Sequence, residues 1–271
     1  TAIAARGSAR ERKRAALRRA VREAGWLALC LAIAIALSWP LVRVFTTRIA
    51  GDVGDPYQTL WGMRWMHDAL LSFENPFFTD RVFYPFGVTL VFQTFDLPSA
   101  VAMVPLWGRV PEVAIYNTAV LLALTLTTYG MFRLVRELTG DTLVAFLAGV
   151  IFAAVPYQFA HIQGHLHLLA MGWVPLALVY VLRLLHGRAT VRDGITGGIF
   201  LALASLASWY YLLFALIVTV VLLWHALLQN PAAVLGRRSI RAGLALAATW
   251  AVLTGPLLVA ILVTRAGEPI A

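Results

Sequence analysis

The chain has 271 residues, of which 61% are hydrophobic and only 13% charged, against about 25% charged in soluble domains. Several apolar runs approach the ~20 residues needed to cross a bilayer core, which excludes an ordinary soluble fold and predicts an all-α, multi-pass integral membrane protein. The formal net charge of +9 would suggest a nucleic-acid partner in a soluble protein. Here the arginines sit at the ends of apolar runs, where they set topology and meet membrane lipids, and no nucleic-acid-binding module is recognisable.

Residues 1–25 form a basic segment carrying Arg6, Arg10, Arg12, Arg14, Arg18, Arg19 and Arg22, expected as a helix on the cytoplasmic side. The run 26–45 is long, contains Pro40 and lacks a small-residue cleavage site, so it reads as a retained anchor rather than a signal peptide. It holds the only cysteine, Cys30, which excludes an intrachain disulfide and a cysteine metal site. An extracytoplasmic loop follows over 46–97. Within it Asp55-Pro56-Tyr57-Gln58 reads as a helix start, with Asp55 as cap, Pro56 at the first helical position and Gln58 completing a box-like pair. That helix is expected to run to Phe73. It mixes Leu60, Trp61 and Trp65 with Arg64, His67 and Asp68, as suits a helix at headgroup level.

The stretch 75–87 is aromatic and turn-rich, and 97–107, with Pro98 and Pro105, is too short to cross and reads as interfacial or re-entrant. Spans are then expected over 113–134, 142–155, 168–185, 194–207, 210–228 and 244–263. Arg133, Arg136, Arg188, Arg192, Arg237, Arg238 and Arg241 all fall on one side of this arrangement. With the anchor this makes about seven spans, a transmembrane module over 26–271, and an N-terminus in the cytoplasm. The start at Thr1 and the ending Gly267-Glu268-Pro269-Ile270-Ala271 read as those of a fragment of a longer protein.

Two polar groupings could carry chemistry, both expected on the outer face. Asp52 and Asp55 stand just outside the first span, placed to take a proton from a hydroxyl or to hold a divalent cation. Solvation or pairing with Arg48 would account for Asp52, and capping for Asp55. His161 and His165 have the i, i+4 spacing of zinc sites, but the glutamate of His-Glu-x-x-His is absent and Gly164 interrupts a helix. Interfacial histidines bonded to headgroups or backbone would look the same.

A cytoplasmic N-terminus, one span, a long outer loop with the acidic motif Asp52-Val53-Gly54-Asp55-Pro56-Tyr57 and two interfacial helices, and then further spans to about seven: in this the chain resembles the conserved half of the C-type (GT-C) membrane glycosyltransferases. Many members carry an Asp-Glu pair followed by Tyr, so the correspondence is by position and residue type. The resemblance implies a polyprenyl-phosphate sugar donor and transfer to an acceptor on the outer face of a bacterial-type plasma membrane. The sugar and the acceptor stay open. It implies Asp52 or Asp55 as catalytic base, Asp52 being preferred because Asp55 has a capping role. Arg64, Arg81 and Arg265 would receive the leaving phosphate or serve as interfacial anchors. His165 would orient the base, with His161 beside it, and Tyr157 and Gln158 would bond sugar hydroxyls. Trp209, Tyr210 and Tyr211 would stack on the sugar, line a lipid groove or anchor the interface. A lipid or solute transporter would need charges or broken helices at mid-bilayer, of which there are few. A non-catalytic component docking a partner through the insert is the third reading.

Overall fold

The computed structural model describes the backbone of residues 2–93 and 96–267, and side chains from Lys13 onward; the side chains of Arg6, Arg10 and Arg12, and residues 268–271, lie outside it. The basic segment and the first span form one unbroken helix, α1 (Ala2–Leu37). It ends well before the expected residue 45 because Pro40 can donate no backbone hydrogen bond. Ser38 closes the last turn, its hydroxyl donating to the Ala34 carbonyl at 2.8 Å. A 3-10 turn over Leu41–Val44 then leads into the insert.

The insert opens with a crossing segment fastened from below by Asn117, a fully buried side chain. Its amide accepts from the Ala50 N–H at 2.9 Å and donates to the carbonyls of Phe45 and Arg48 at 2.8 Å each. α2 (Asp55–Ser72) follows, burying Leu60, Met63 and Met66 on one face at the three-to-four-residue spacing of an amphipathic helix. It ends on Phe73 in the left-handed region, whose N–H returns to the Ala69 carbonyl. Beyond it, β1 (Phe78–Thr79) and β2 (Val88–Thr89) pair antiparallel with Phe78 opposite Thr89. α3 (Leu97–Met103) completes the insert and passes into a 3-10 turn over Val104–Leu106.

The remaining helices are α4 (Glu112–Thr139), α5 (Thr142–Ala153), α6 (Pro156–His161), α7 (Leu166–Leu169), α8 (Trp173–Leu185), α9 (Val191–Ala207), α10 (Trp209–Gln229), α11 (Pro231–Val234) and α12 (Arg237–Arg265). Thr190 and Asp193 form a reciprocal capping box at the start of α9. Glycines let α9 and α12 approach closely: a Cβ on Gly194 would stand 2.2 Å from the Ala242 carbonyl oxygen, a close-packed contact of the kind membrane helices use. Five stretches are long and apolar enough to cross a membrane: Lys13–Leu37, Glu112–Thr139, Leu166–Leu185, Trp209–Gln229 and Arg237–Arg265. The third is interrupted at Ala170–Gly172, between α7 and α8. α5 and α9, at 12 and 17 residues, are shorter than a full crossing.

The bundle has two chemically different ends. At one, Arg133 faces Glu23 at 3.5 Å, Arg183 binds Glu137 at 2.7 Å and Asp193 at 3.1 Å, and the Arg238 guanidinium donates to the Ala189 carbonyl. At the other, a core of Met63, Met66, Ile115, Tyr116, Leu166 and Tyr211 joins α2 of the insert to α4, α7 and α10. That core is the floor on which the polar side chains of the insert stand.

Candidate active site

A cavity of about 370 Å³ lies where α2, the end of the insert, the α6–α7 connection and the start of α10 meet. Asp55, Gln58 and Thr59 face it from the start of α2, Gln93 and Asp96 from the insert, His165 from the α6–α7 connection, His167 from α7, and Tyr210 from α10.

The capping role expected of Asp55 is corrected by the backbone. Gly54, at φ 114°, is the cap, and its carbonyl accepts from the N–H groups of Tyr57 and Gln58 at 3.0 and 3.1 Å. No side-chain cap bond forms, and Gln58 turns to the cavity instead of completing a box. The Asp55 carboxylate is therefore free to meet His165, Oδ2 to Nε2 at 3.2 Å, with the two side chains 61% and 44% exposed. Its place in the first turn also puts negative charge at the positive end of the α2 dipole.

Two glycines set that distance. Gly51 has φ +99°, and a Cβ there would lie 2.4 Å from the Gln163 carbonyl oxygen, so only glycine fits. A Cβ on Gly164 would come within 2.9 Å of the Asp55 Cβ. The insert and the α6–α7 connection thus interlock, Gly51 against the Gln163 backbone and Gly164 against the side chains of Asp55 and Pro56, and the N–H of Asp52 donates to the Gln163 carbonyl at 3.0 Å. The Asp52 side chain itself is exposed and does not line the cavity. Of the two expected carboxylates, Asp55 is the one brought to the histidines.

Asp96, which the sequence reading passed over, is the buried acid of the site at 4% exposure. It caps α3, accepting from the Ser99 N–H at 3.2 Å and the Ser99 hydroxyl at 2.5 Å. Burial pushes its carboxyl up to about 6, against the opposing pull of those two bonds. The motif Asp96-Leu97-Pro98-Ser99 is legible as a helix start; its burial is not.

His161 and His165 have the spacing of one helix face, but α6 ends at His161, ahead of Gly164, and the two rings meet edge to face at 5.3 Å, with Tyr157 edge-on to His161 at 4.2 Å. Burial, then the charge of His165, lowers the His161 pKa below the usual histidine range. The Nδ1 atoms of both histidines, and both side-chain polar atoms of Gln158, are buried with no hydrogen-bond partner among the described residues. Gln158 is only 1% exposed and, like Tyr157, lies behind the cavity rather than on its wall. Among the described residues no group of three or more His, Cys, Asp or Glu is arranged to hold a metal ion.

Arg64 and Arg81, expected beside a leaving phosphate, are engaged elsewhere. Arg64 binds Asp68 at 3.0 Å and Glu112 at 2.7 Å, and Arg81 binds Asp68 at 2.9 Å. Burial alone would raise the Asp68 pKa, but bonds from His67, Arg81 and Arg64 outweigh it and hold it down at about 2. Arg265 stands apart from them. It lines an apolar groove of about 300 Å³ together with Leu97, Trp209, Leu258 and Ile261. Ser208 also lines the groove, and its buried hydroxyl has no partner among the described residues. Gln93 lines both groove and cavity, and the adjacent Trp209 and Tyr210 face one each. The two spaces are neighbours.

A multi-helix fold with apolar helices of membrane-crossing length and an acid–histidine cavity over one end therefore defines the class. The chain belongs to the family described as Domain of unknown function (DUF6311), whose model matches residues 25–267. No curated protein and no solved structure matches it.

Proposed function

We infer that this protein is a membrane glycosyltransferase that takes a sugar from a polyprenyl-phosphate carrier on the outer face of a bacterial-type plasma membrane. The observation that carries the reading is the adjacency of the two spaces, an apolar groove with Arg265 in its lining and a polar cavity holding the Asp55–His165 pair. A lipid-linked sugar needs both. Its isoprenoid chain is hydrocarbon, and its phosphate requires a cation or hydrogen-bond donors as negative charge develops on departure.

In this reading Asp55 takes the proton of the acceptor hydroxyl while its oxygen attacks the anomeric carbon, and His165 holds the Asp55 carboxylate in place. The bond from the anomeric carbon to the phosphate oxygen breaks, and the carrier leaves as polyprenyl phosphate toward Arg265 and Ser208. Asp96, protonated more readily than an ordinary carboxyl, donates to a sugar hydroxyl, with Gln58 and Gln93 beside it.

The reading also takes α1, α4, α5, the α7–α8 pair, α9, α10 and α12 as seven spans, with the arginine-rich end in the cytoplasm. The buried Cys30 is the only cysteine, so single cysteines introduced at Asp52 and Arg237 report sidedness cleanly. An impermeant maleimide should label the first from outside the cell and the second only after lysis; the reverse would turn the protein over.

The functional test is native mass spectrometry of protein purified in mild detergent. A polyprenyl-phosphate sugar should accompany the wild-type protein and be converted to polyprenyl phosphate when membrane extract is added. A bound carrier that is never cleaved would indicate a flippase, and phospholipid as the sole adduct would remove the donor from the argument.

A further inference from the structure

At the end of the bundle opposite the insert, α1 and α4 enclose a cavity of about 310 Å³ walled by Arg19, Arg22, Arg133 and Arg136. Its two carboxylates are already engaged. Glu23 accepts from the Tyr129 hydroxyl at 2.8 Å and faces Arg133 at 3.5 Å, and Glu137 binds Arg183 at 2.7 Å. Arg19, Arg22 and Arg136 have no carboxylate at ion-pair distance among the described residues. Four guanidiniums and two carboxylates line the cavity, which leaves it a net positive charge that a bound anion would offset.

Arg133 is shared with a second space, an apolar crevice of about 240 Å³ between α1, α4, α8 and α9. Leu27, Leu126, Trp173, Leu176 and Phe200 line it. Each lies further from the basic end than the charged residues of its own helix. Along α4 the step from Arg133 down to Leu126 is ~10 Å at the rise of an α-helix. The crevice therefore runs along the bundle axis, the direction a lipid tail takes.

We propose that the two spaces form one site for an anionic phospholipid of the leaflet on the basic side. The phosphate sits among Arg19, Arg22 and Arg136, and one acyl chain enters the crevice. Charge alone would accept any phosphate and the crevice alone any hydrocarbon; their junction at Arg133 selects a molecule that has both. The lipid would also hold α1, most of whose described side chains from Lys13 on are exposed, against α4, α8 and α9. The site is independent of the glycosyltransferase reading.

The test uses the full chain, delipidated in neutral detergent and titrated with dioleoyl phosphatidylglycerol or dioleoyl phosphatidylcholine under native mass spectrometry. Phosphatidylglycerol should bind with a resolved single-site isotherm, phosphatidylcholine much more weakly. The double variant Arg19→Gln/Arg22→Gln should lose about 30-fold in phosphatidylglycerol affinity, taking each arginine near the surface at its usual strength. Both arginines are exposed, so this variant keeps the fold. Leu126→Trp fills the crevice without touching a charge and should weaken phosphatidylglycerol too. Equal affinity for the two lipids, or no effect of the double variant, would overturn the site. If Leu126→Trp leaves binding unchanged and inorganic phosphate displaces the lipid, the site is a plain anion site and the lipid proposal fails.

Discussion

Replacing Asp55 by asparagine separates chemistry from stability more cleanly than any other change in this protein. The Asp55–His165 pair is 3.2 Å long and well exposed on both sides, and exposed pairs of this kind contribute ~0–1 kcal/mol. Asp55→Asn keeps side-chain size and makes no cap bond that could be lost, because Gly54 is the cap. The unfolding temperature should therefore fall by no more than about 4 °C. A general base, by contrast, supplies ~2 to 4 orders of magnitude in rate. The assay follows conversion of polyprenyl-phosphate sugar to polyprenyl phosphate by chromatography and mass spectrometry, in membranes holding equal amounts of each variant. Asp55→Asn should lose at least 100-fold on that scale, while Asp52→Asn, exposed and away from the cavity, should stay near wild type. Turnover by Asp55→Asn within a few-fold of wild type would refute the assignment. Loss in Asp52→Asn alone would restore the sequence-based preference for that residue.

Three further outcomes are expected. Asp96 is held near 6 when folded against 3.8 as its ordinary value, so its contribution to stability is complete below pH 3.8 and is lost as pH rises through about 6, by up to ~3 kcal/mol; Asp96→Asn, still a good cap, should unfold at a higher temperature than wild type at pH 8 and converge with it near pH 4, and parallel curves would refute this. Gly164→Ala would press a methyl group against the Asp55 Cβ and part the pair, costing about 100-fold in turnover with the acid and histidine both present; wild-type turnover would show that the interlock does not set the geometry. Asn117→Ala strands one backbone N–H and two carbonyls at the foot of the insert, which at ~1 to 3 kcal/mol for each buried unpaired group should lower stability by ~3 kcal/mol or more in a denaturant titration; a change under about 1 kcal/mol would mean that water replaces the side chain.

The helices of this fold were legible because their signals are local. Hydropathy set the apolar stretches, Asp55-Pro56 marked the start of α2 to within one residue, and Pro98 with Pro105 kept 97–107 short of a crossing. The errors arose where backbone geometry intervened. Leu37 ends α1 because of Pro40, and the positive φ of Gly54 takes the cap that a side-chain preference would assign to Asp55. His165 was legible as the partner of a base, but the choice of Asp55 over Asp52 was not, since it depends on Gly51 meeting the Gln163 backbone and Gly164 meeting the side chains of Asp55 and Pro56. Arg64 and Arg81 looked available in sequence because their partners, Glu112 and Asp68, are brought to them only by folding.

The division of labour among the acidic residues of the insert follows from how each is surrounded. Asp68 is saturated by two guanidiniums and His67, so taking up a proton would cost it three partners, and it serves as a staple. Asp96 has lost its water but gained only Ser99, so it keeps its proton to a higher pH than an ordinary carboxyl. Asp52 faces solvent, without a wall to position a substrate against it. Asp55 alone combines an open approach from the cavity with an imidazole that fixes its orientation, which is what a base acting on a bound hydroxyl requires. On the proposed function, the same comparison singles out the Asp55–His165 pair in an insert rich in carboxylates, and losing one glycine at the interlock should be nearly as damaging as losing the acid itself.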